Sequence, residues 1–594
     1  MRAFMDFLDT LNGILWHDIV LYVLLAVGVL FTIWTKFGQY RALTHGVSVI
    51  RGKYDDKAHP GAINHFQALS TALSGTVGLG NIAGVSVAVA LGGPGAIFWM
   101  WVVGLVGMAL KMTEVTQAML YRNTDDPENP HGGAMWVCKK GFAKIHPALG
   151  PFGAAVGVIF CITVLISTIT GGNMFQAWNV AEITTTYFPS VPGLATGVII
   201  AVLVGLTIIG GIKRIGAVTG RLVPFMCGIY LLGAVVVLAM NLGALPEMLR
   251  LIVISGIPKF MGGQDAVPTG AFLGGTFGYA FLWGMKRALF SNEAGQGSAP
   301  MAHSAAKTDE PVREGVVAGL EPFIDTLVVC TLTAMVVMST GAWKREAAAK
   351  YEGPVAIVPA TAADGSAVAG KWVPSRNDLP AKSDAEAKIS NVWRENDPLF
   401  MLVRGELDTN TGREIHQLAG KVVKGGDGSL RVAWTPYESP APPTVAEPGL
   451  YLNLRGASLT GYAFDRAMPG MGMWIVTLAA WLFAVSTVIS WAYYGEQAVV
   501  FMLGKWSVLP YKLVYCLAVV VATIPGLLKT DQELDALTAL GTGVMLWANI
   551  PIMLLFGPQA MRAYHEYMGK LKSGKFKGHA APPIVDVAEG KDVR

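Results

Sequence analysis

Apolar runs long enough to cross a lipid bilayer recur along almost the whole chain, and they leave few folds open to it. A span needs roughly 20 apolar residues. Eleven such runs are read near 15–35, 66–91, 95–121, 150–188, 194–211, 217–241, 270–291, 314–341, 470–503, 511–528 and 534–557. Charged residues make up only 14% of the chain, against about 25% in soluble domains. The predicted class is an all-α polytopic membrane protein with about 11 transmembrane helices. The fourth run is too long for one straight crossing, so it is expected to tilt or to end in an extramembrane helix.

Orientation is read from where Lys and Arg sit. Basic residues gather in alternate loops: Lys36, Arg41, Arg51, Lys53 and Lys57; Arg122, Lys139, Lys140 and Lys144; Lys213 and Arg214; Lys307 and Arg313; Lys505 and Lys512; and Arg562, Lys570, Lys572, Lys575 and Lys577. These loops and the C-terminus are predicted to be cytoplasmic and the N-terminus outside, in the inner membrane. A net charge of +4 gives no ground for nucleic-acid binding. Cys138, Cys161, Cys227, Cys330 and Cys516 show no paired spacing, so neither disulfides nor a zinc site are expected. The first apolar stretch lacks a basic n-region and cleavage site and is expected to be retained.

One run is interrupted in a telling way. Ser74-Gly75-Thr76-Val77-Gly78-Leu79-Gly80-Asn81 lies in the middle of 66–91. Each glycine costs a helix interior about 1 kcal/mol against alanine, so Gly75, Gly78, Gly80 and Gly84 invite a break at bilayer depth. Freed backbone groups survive there only where protein, water or ligand satisfies them. Without the first run, ten remain, five and five. The second five open with 270–291, which carries Gly270, Gly274, Gly275, Gly278 and Gly284. Five is odd, so the two halves have opposite topology, and matched interruptions in inverted repeats mark binding sites in secondary transporters.

The organisation that follows is an N-terminal extra helix and basic segment (1–65), a first repeat (66–241), an outer loop (242–269), a second repeat (270–341 and 467–557), an insertion (342–466) and a cytoplasmic tail (558–594). The insertion is hydrophilic. Gly-Gly-Asp-Gly at 425–428 and the alternation at 430–434 and 451–455 suggest turns and short strands. A small, partly ordered outer module is expected, largely a solvated loop.

Longer motifs resemble the alanine or glycine:cation symporter family. They are Asn292-Glu293-Ala294-Gly295-Gln296-Gly297-Ser298-Ala299-Pro300 with Ala305-Ala306-Lys307-Thr308-Asp309, Gly80-Asn81-Ile82-Ala83-Gly84-Val85, and Gly92-Gly93-Pro94-Gly95-Ala96-Ile97-Phe98-Trp99-Met100-Trp101. Gly132-Gly133-Ala134-Met135, Gly210-Gly211-Ile212-Lys213, Val223-Pro224-Phe225-Met226 and Ser490-Trp491-Ala492-Tyr493-Tyr494-Gly495-Glu496 fit as well. The resemblance covers 1–341 and 467–557. The insertion is longer than the family's usual outer loop, and Gln296 stands where leucine is expected, a change read as one of packing at the cytoplasmic end. The resemblance implies the fold of neurotransmitter:sodium symporters, an inverted-repeat 5+5 arrangement plus one N-terminal helix, and sodium-coupled symport of alanine and/or glycine into the cell by alternating access.

It also implies a sodium site. The carbonyls of Ser74 and Val77 would meet the hydroxyls of Ser486 and Thr487, with the Phe483 carbonyl on the same face. For a zwitterionic substrate, the amides of Leu79, Gly80 and Asn81 open a new helix whose positive end suits a carboxylate. Carbonyls near Gly278–Phe281 are expected to accept the ammonium. Thr76, Asn173 and Gln176 are candidate polar groups, and Phe277, Phe281, Trp283 and Trp491 candidate walls. Lys111 and Glu114 are expected to pair. Asp325 and Glu182 have no assigned role. Lys286, Arg287 and Glu293 are read as an inner gate at the cytoplasmic end of the seventh run, and His65 and His303 as solvated. No acid is read inside the glycine-rich core, which favours sodium over protons. Walker A, nucleophile-elbow and metal-spaced His/Cys patterns are not seen, so neither an enzyme nor an ATP-driven pump is expected, and no cofactor beyond the coupling ion. A channel or sensing receptor is the rival reading, with 342–466 as its candidate sensor. The partners expected are a small amino acid and the bilayer.

Overall fold

A computed structural model describes residues 2–362, 364–525, 531–576 and 578–590. Lys577 and the 526–528 end of the tenth predicted run lie outside the described residues. Among the described residues, seven helices are long and apolar enough to cross a membrane. They are Pro94–Tyr121, Pro147–Tyr187, Gly211–Met240, Pro311–Ser339, Met471–Leu503, Lys505–Ala522 and Leu534–Lys572. Two further spans are bent pairs: Asp6–Leu15 with Asp18–Trp34, at 41°, and His65–Thr76 with Gly80–Gly92, at 51°. A shorter apolar helix, Gly193–Ile208, stands at the fifth predicted run, and a less apolar one, Phe277–Asn292, at the seventh.

The outer surface is apolar. Val198, Ile199, Val202, Leu206, Phe225, Leu232 and Val235 are exposed on two of these helices, a pattern a soluble protein would not tolerate over such an area. The interior is polar where the sequence analysis placed its interruptions, with Ser74, Asn81, Asn173, Asp325 and Ser486 all fully buried. The long fourth helix stays one run of 41 residues. A wide π turn at Thr170–Met174 interrupts its regular register.

The loops read as basic lie together. The Arg122 guanidinium donates to the carbonyls of Pro60, Ser304, Ala306 and Thr308, tying three of them. Lys213 pairs with Glu128, Lys505 with Asp126 and Lys570 with Glu310. The insertion sits on the other face, where Thr276 and Ala271, just before the helix Phe277–Asn292, bond to Asn410 and Arg345.

The insertion is more ordered than expected. One antiparallel sheet runs in the order Ala349–Lys350, Thr444–Leu452, Pro398–Asp408, Arg413–Lys424, Leu430–Trp434. A second joins Ile357–Thr361, Ala367–Pro374 and Tyr437–Glu438. The turn at 425–428 links two paired strands, with Gly428 at φ +81°. Phe400 stacks on Tyr451 at 5.2 Å to seed a small core of its own. Its closing helix, Gly456–Ala467, is buried and reaches the first broken span: Thr460 Oγ1 donates to the Ile82 carbonyl at 2.9 Å and lies 2.5 Å from Ser86 Oγ. That end of the insertion is therefore part of the transmembrane core rather than a solvated loop.

Candidate functional site

The first break is where the glycines place it. Val77 leaves the helical region at ψ 87°. The amides of Gly78 and Leu79, which an unbroken helix would close on Ser74 and Gly75, donate instead to Asn81 Oδ1 at 2.8 Å and Gln176 Oε1 at 3.1 Å. Gly80–Gly84 then forms a wide π turn that leads into Val85–Gly92. Side chains from two helices thus take over hydrogen bonds the backbone gives up.

The second break is displaced from its expected place. Gly270 and Gly274 precede the helix, and Gly278–Phe281 lies inside the regular helix Phe277–Asn292, so no carbonyls are freed there. Gly284 serves close packing instead, since a Cβ there would stand 2.5 Å from the Ala96 carbonyl. The helix stops at Glu293 (φ +54°), and Gly295 and Gly297 follow at φ +81° and +80° before Ala299–His303 resumes. The stretch 293–298 is itself the unwound segment. Its polar groups are held by Glu114, which accepts from the Gly297 amide at 3.1 Å, and by Asn549, which donates to the Gly295 carbonyl at 2.9 Å.

Between the two breaks lies a cavity of about 10 Å³, room for about one water. Thr76, Gly80, Gln176 and Trp491, four of the candidates named for the substrate site, line it. Leu79 and Asn81 flank it through the contacts above. The break residues Gly75 and Gly78 also line it, and so do Ser167, Gly171, Phe290 and Thr542, which were missed. Their signals were weak: Gly171 belongs to a Gly-Gly pair in the fourth run, and Thr542 to Gly541-Thr542-Gly543 in the last. Glu293 and Gln296 line it too. Glu293 accepts from Trp491 Nε1 at 3.0 Å and from Ser298 Oγ. Gln296, expected to affect only packing at the cytoplasmic end, presents its side chain here and donates to the Leu289 carbonyl at 2.7 Å.

Other expected residues lie elsewhere. Phe277 and Phe281 pack on Trp99, and Phe281 also stacks on Tyr22 at 5.0 Å, which turns both away from the cavity. Asn173 donates to the Tyr515 carbonyl at 2.9 Å, a helix–helix tie. Trp283 lines a separate vestibule of about 580 Å³ on the insertion side, together with Glu182, Lys286 and Arg287. Lys286 and Arg287 are therefore not at the basic-loop end: they line the same vestibule as Gln417 and Arg455 of the insertion. Arg287 pairs with Asp535 at 2.5 Å, and Phe290 meets Phe175 edge-on at 5.0 Å. These two contacts separate vestibule from cavity. Arg287→Ala should open that constriction. A Thr542→Cys thiol, in a background without the native cysteines, should then react several-fold faster with a polar reagent applied from the insertion side.

The ion-ligand candidates partly converge. Ser74 Oγ donates to the Ser486 carbonyl at 2.7 Å and lies 2.6 Å from Ser486 Oγ. Val77 is the residue at which the helix ends. Thr487 Oγ1 is buried with no hydrogen-bond partner. It faces Gly78 so closely that a Cβ there would come within 2.5 Å of it. Phe483 lies one turn earlier on the same helix, its ring against Tyr230 at 5.6 Å. An orphaned hydroxyl beside freed carbonyls is an all-oxygen donor set, the kind a hard cation takes. Among the described residues no group of three His, Cys, Asp or Glu has the geometry to hold a metal.

An acid does stand at the break, contrary to expectation. Asp325 is fully buried and accepts from Asn81 Nδ2, from Ser291 Oγ at 2.9 Å and from Thr326 Oγ1 at 2.8 Å. It is carried there by the π segment Phe323–Cys330, which rotates the helix face in a way that 3.6-residue periodicity does not foretell.

Two interrupted helices facing one enclosed polar cavity, inside a lipid-facing shell, define a multi-pass membrane transporter. Residues 1–373 and 445–581 match the model of the sodium:alanine symporter family, and the chain belongs to that family. Its members are symporters, not enzymes, and sodium is their coupling ion. The sodium/alanine symporter AgcS of Methanococcus maripaludis is 33% identical over 514 residues, 86% of this chain and 87% of that one. A putative sodium/proton-dependent alanine carrier protein, YrbD, of Bacillus subtilis is 29% identical over 573 residues, 96% and 93% of the two chains. A probable sodium/glutamine symporter, GlnT, of the same organism is 33% identical over 332 residues, 56% and 65%.

Proposed function

We propose that this protein carries a small neutral amino acid, alanine and/or glycine, into the cell together with sodium by alternating access. The observation that carries the reading is the pair of opposed helix ends at one cavity. The helix that starts at Gly80 presents its N-terminus there, and the helix Phe277–Asn292 its C-terminus. A zwitterion lies favourably between them, carboxylate at the positive end and ammonium at the negative end. In this reading the carboxylate takes the Leu79 amide from Gln176 and gains that of Gly80, and Thr76 and Trp491 border the substrate. Asn81 positions the break through Gly78 and Asp325. Gln296 adds an amide to the lining. The small cavity suits small side chains.

Sodium would be held by the carbonyls of Ser74 and Val77, the hydroxyls of Ser486 and Thr487, and the Phe483 carbonyl. It would stiffen the unwound turn on which the substrate depends, which is the differential contact that coupling requires. One charge moving through 100 mV supplies about 2.3 kcal/mol, roughly a 50-fold accumulation, before the sodium gradient is added. The wider reading has eleven crossings, an inverted 5+5 core with one additional N-terminal helix, and inner-membrane placement with the insertion and N-terminus outside and the C-terminus cytoplasmic. The gathering of the basic loops on one face supports it. Alanine uptake into proteoliposomes with an imposed sodium gradient should exceed uptake with potassium in its place by an order of magnitude. Equal uptake in the two would overturn the reading.

A further inference from the structure

Below the second break, towards the basic-loop face, seven titratable side chains are packed where water does not reach. Glu314 bridges two histidines, His65 through Nδ1 and His303 through Nδ1 at 2.5 Å. The other nitrogen of His303 meets Glu321 Oε1 at 2.7 Å. Glu321 Oε2 lies 3.2 Å from Lys111 Nζ, and Lys111 lies 3.9 Å from Glu114. Glu114 takes the Gly297 amide, and Glu293 at the cavity faces the charges of Lys111 and Glu321. None of the seven is more than 3% exposed. At the far end His65 Nε2 stands 4.0 Å from Asp55, which is partly exposed on the basic-loop face.

We propose that this cluster is a proton-binding site, filled and emptied from the basic-loop face through His65, whose occupancy is coupled to the second break and hence to substrate. This builds on the transport reading above and adds a second coupling ion to it.

Three observations carry the inference. Both ring nitrogens of His303 face carboxylate oxygens, so either the ring holds two protons or a carboxyl holds one. Glu114, Glu293, Glu314 and Glu321 are balanced by Lys111, the neighbouring Arg122 and the two histidines only when both rings are protonated, and an uncompensated buried charge is expensive. Glu114 Oε1 and Tyr494 Oη have no hydrogen-bond partner although buried, so this end of the cluster has capacity to spare. The other titratable groups facing it are Arg122 towards Glu314, Asp55 and His45 towards His65, and the neutral phenol of Tyr494 towards Glu293, Glu321 and Glu114.

The transfers need no co-reactant. A proton that enters from water on the Asp55 side and reaches His65 Nε2 releases the Nδ1 proton to Glu314. Glu314 passes it to His303 Nδ1, and His303 Nε2 gives its proton to Glu321. One proton leaves water, one carboxylate becomes neutral, and the heavy atoms stay in place. The charge that Lys111 shares between Glu321 and Glu114 then shifts towards Glu114, which holds the unwound segment through Gly297.

The test uses purified protein in detergent and a weakly buffered solution with a pH-indicator dye. Adding alanine in saturating sodium should move about half a proton per protein, and the apparent alanine affinity should change about tenfold across two pH units. His303→Gln and, independently, His65→Asn should keep sodium-dependent alanine binding but abolish both the dye signal and the pH dependence. Sodium-dependent alanine binding without proton movement in the wild type would overturn this inference and leave the transport reading standing. Persistent proton movement in both variants would also overturn it. Absence of alanine binding would overturn the transport reading, and this inference with it.

Discussion

Replacing Thr487 by alanine should raise the sodium concentration for half-maximal alanine uptake by tenfold or more, with little change in alanine affinity at saturating sodium. Thr487 Oγ1 is buried but makes no hydrogen bond within the protein. Its removal therefore leaves no donor or acceptor orphaned, and the usual penalty for deleting a buried hydroxyl does not arise. What disappears is one oxygen facing the turn at Val77-Gly78. Interactions of a polar group with a charge contribute about 1.5–3 kcal/mol, which corresponds to roughly 10- to 150-fold in affinity. Thr487→Ser should restore most of it, because the hydroxyl returns without the methyl group. A sodium-activation curve for Thr487→Ala that overlays the wild type would remove Thr487 from the ion site. Parallel losses of sodium and alanine affinity would mean a general distortion of the helix Met471–Leu503.

The contrast between the two breaks shows what could be read from the residues and what could not. At 74–81 the glycines, the polar Asn81 and the apolar flanks all point the same way, and the helix gives up its turn there. In the seventh run the glycines at 270–284 looked equivalent, yet Gly284 is needed for contact with Ala96 and the helix passes through it unbroken. Glycine serves close approach and chain reversal alike, and one sequence does not separate the two uses. The true break, 293–298, held few apolar residues and was taken for the cytoplasmic end of the run. The seventh helix was thereby shifted, and Lys286 and Arg287 were assigned to the wrong side of the cavity. Polar networks were the least legible. His65 and His303 flank loops in the sequence, but Arg122 gathers those loops over them and both become fully buried. Asp325 and Ser167 lie in or near π segments, where side chains rotate out of the register that helical periodicity supplies.

The second large effect is expected at Gly172. The π turn at Thr170–Met174 brings this residue against Trp491, and a Cβ there would lie 2.3 Å from Cγ and 2.6 Å from Cβ of the tryptophan. These atoms are at the root of the side chain, so a change in ring rotamer does not relieve the clash and the helices must part. Overpacking of this kind costs about 1–3 kcal/mol. Its main consequence is functional, because Trp491 walls the cavity and donates to Glu293 at the second break. Displacing it uncouples the helix Met471–Leu503 from that break. Gly172→Ala should therefore lower the initial rate of sodium-driven alanine uptake by at least about tenfold, the equivalent of 1.4 kcal/mol, while the protein still inserts and purifies. Gly228→Ala is the control: it lies within the helix Gly211–Met240 with nothing within 4 Å of the added carbon. There the methyl group should favour the helix by up to about 1 kcal/mol, raise the melting temperature slightly and leave uptake unchanged. Wild-type uptake by Gly172→Ala would mean that Trp491 is free to move without consequence. The cavity would then have a different wall from the one the two breaks enclose.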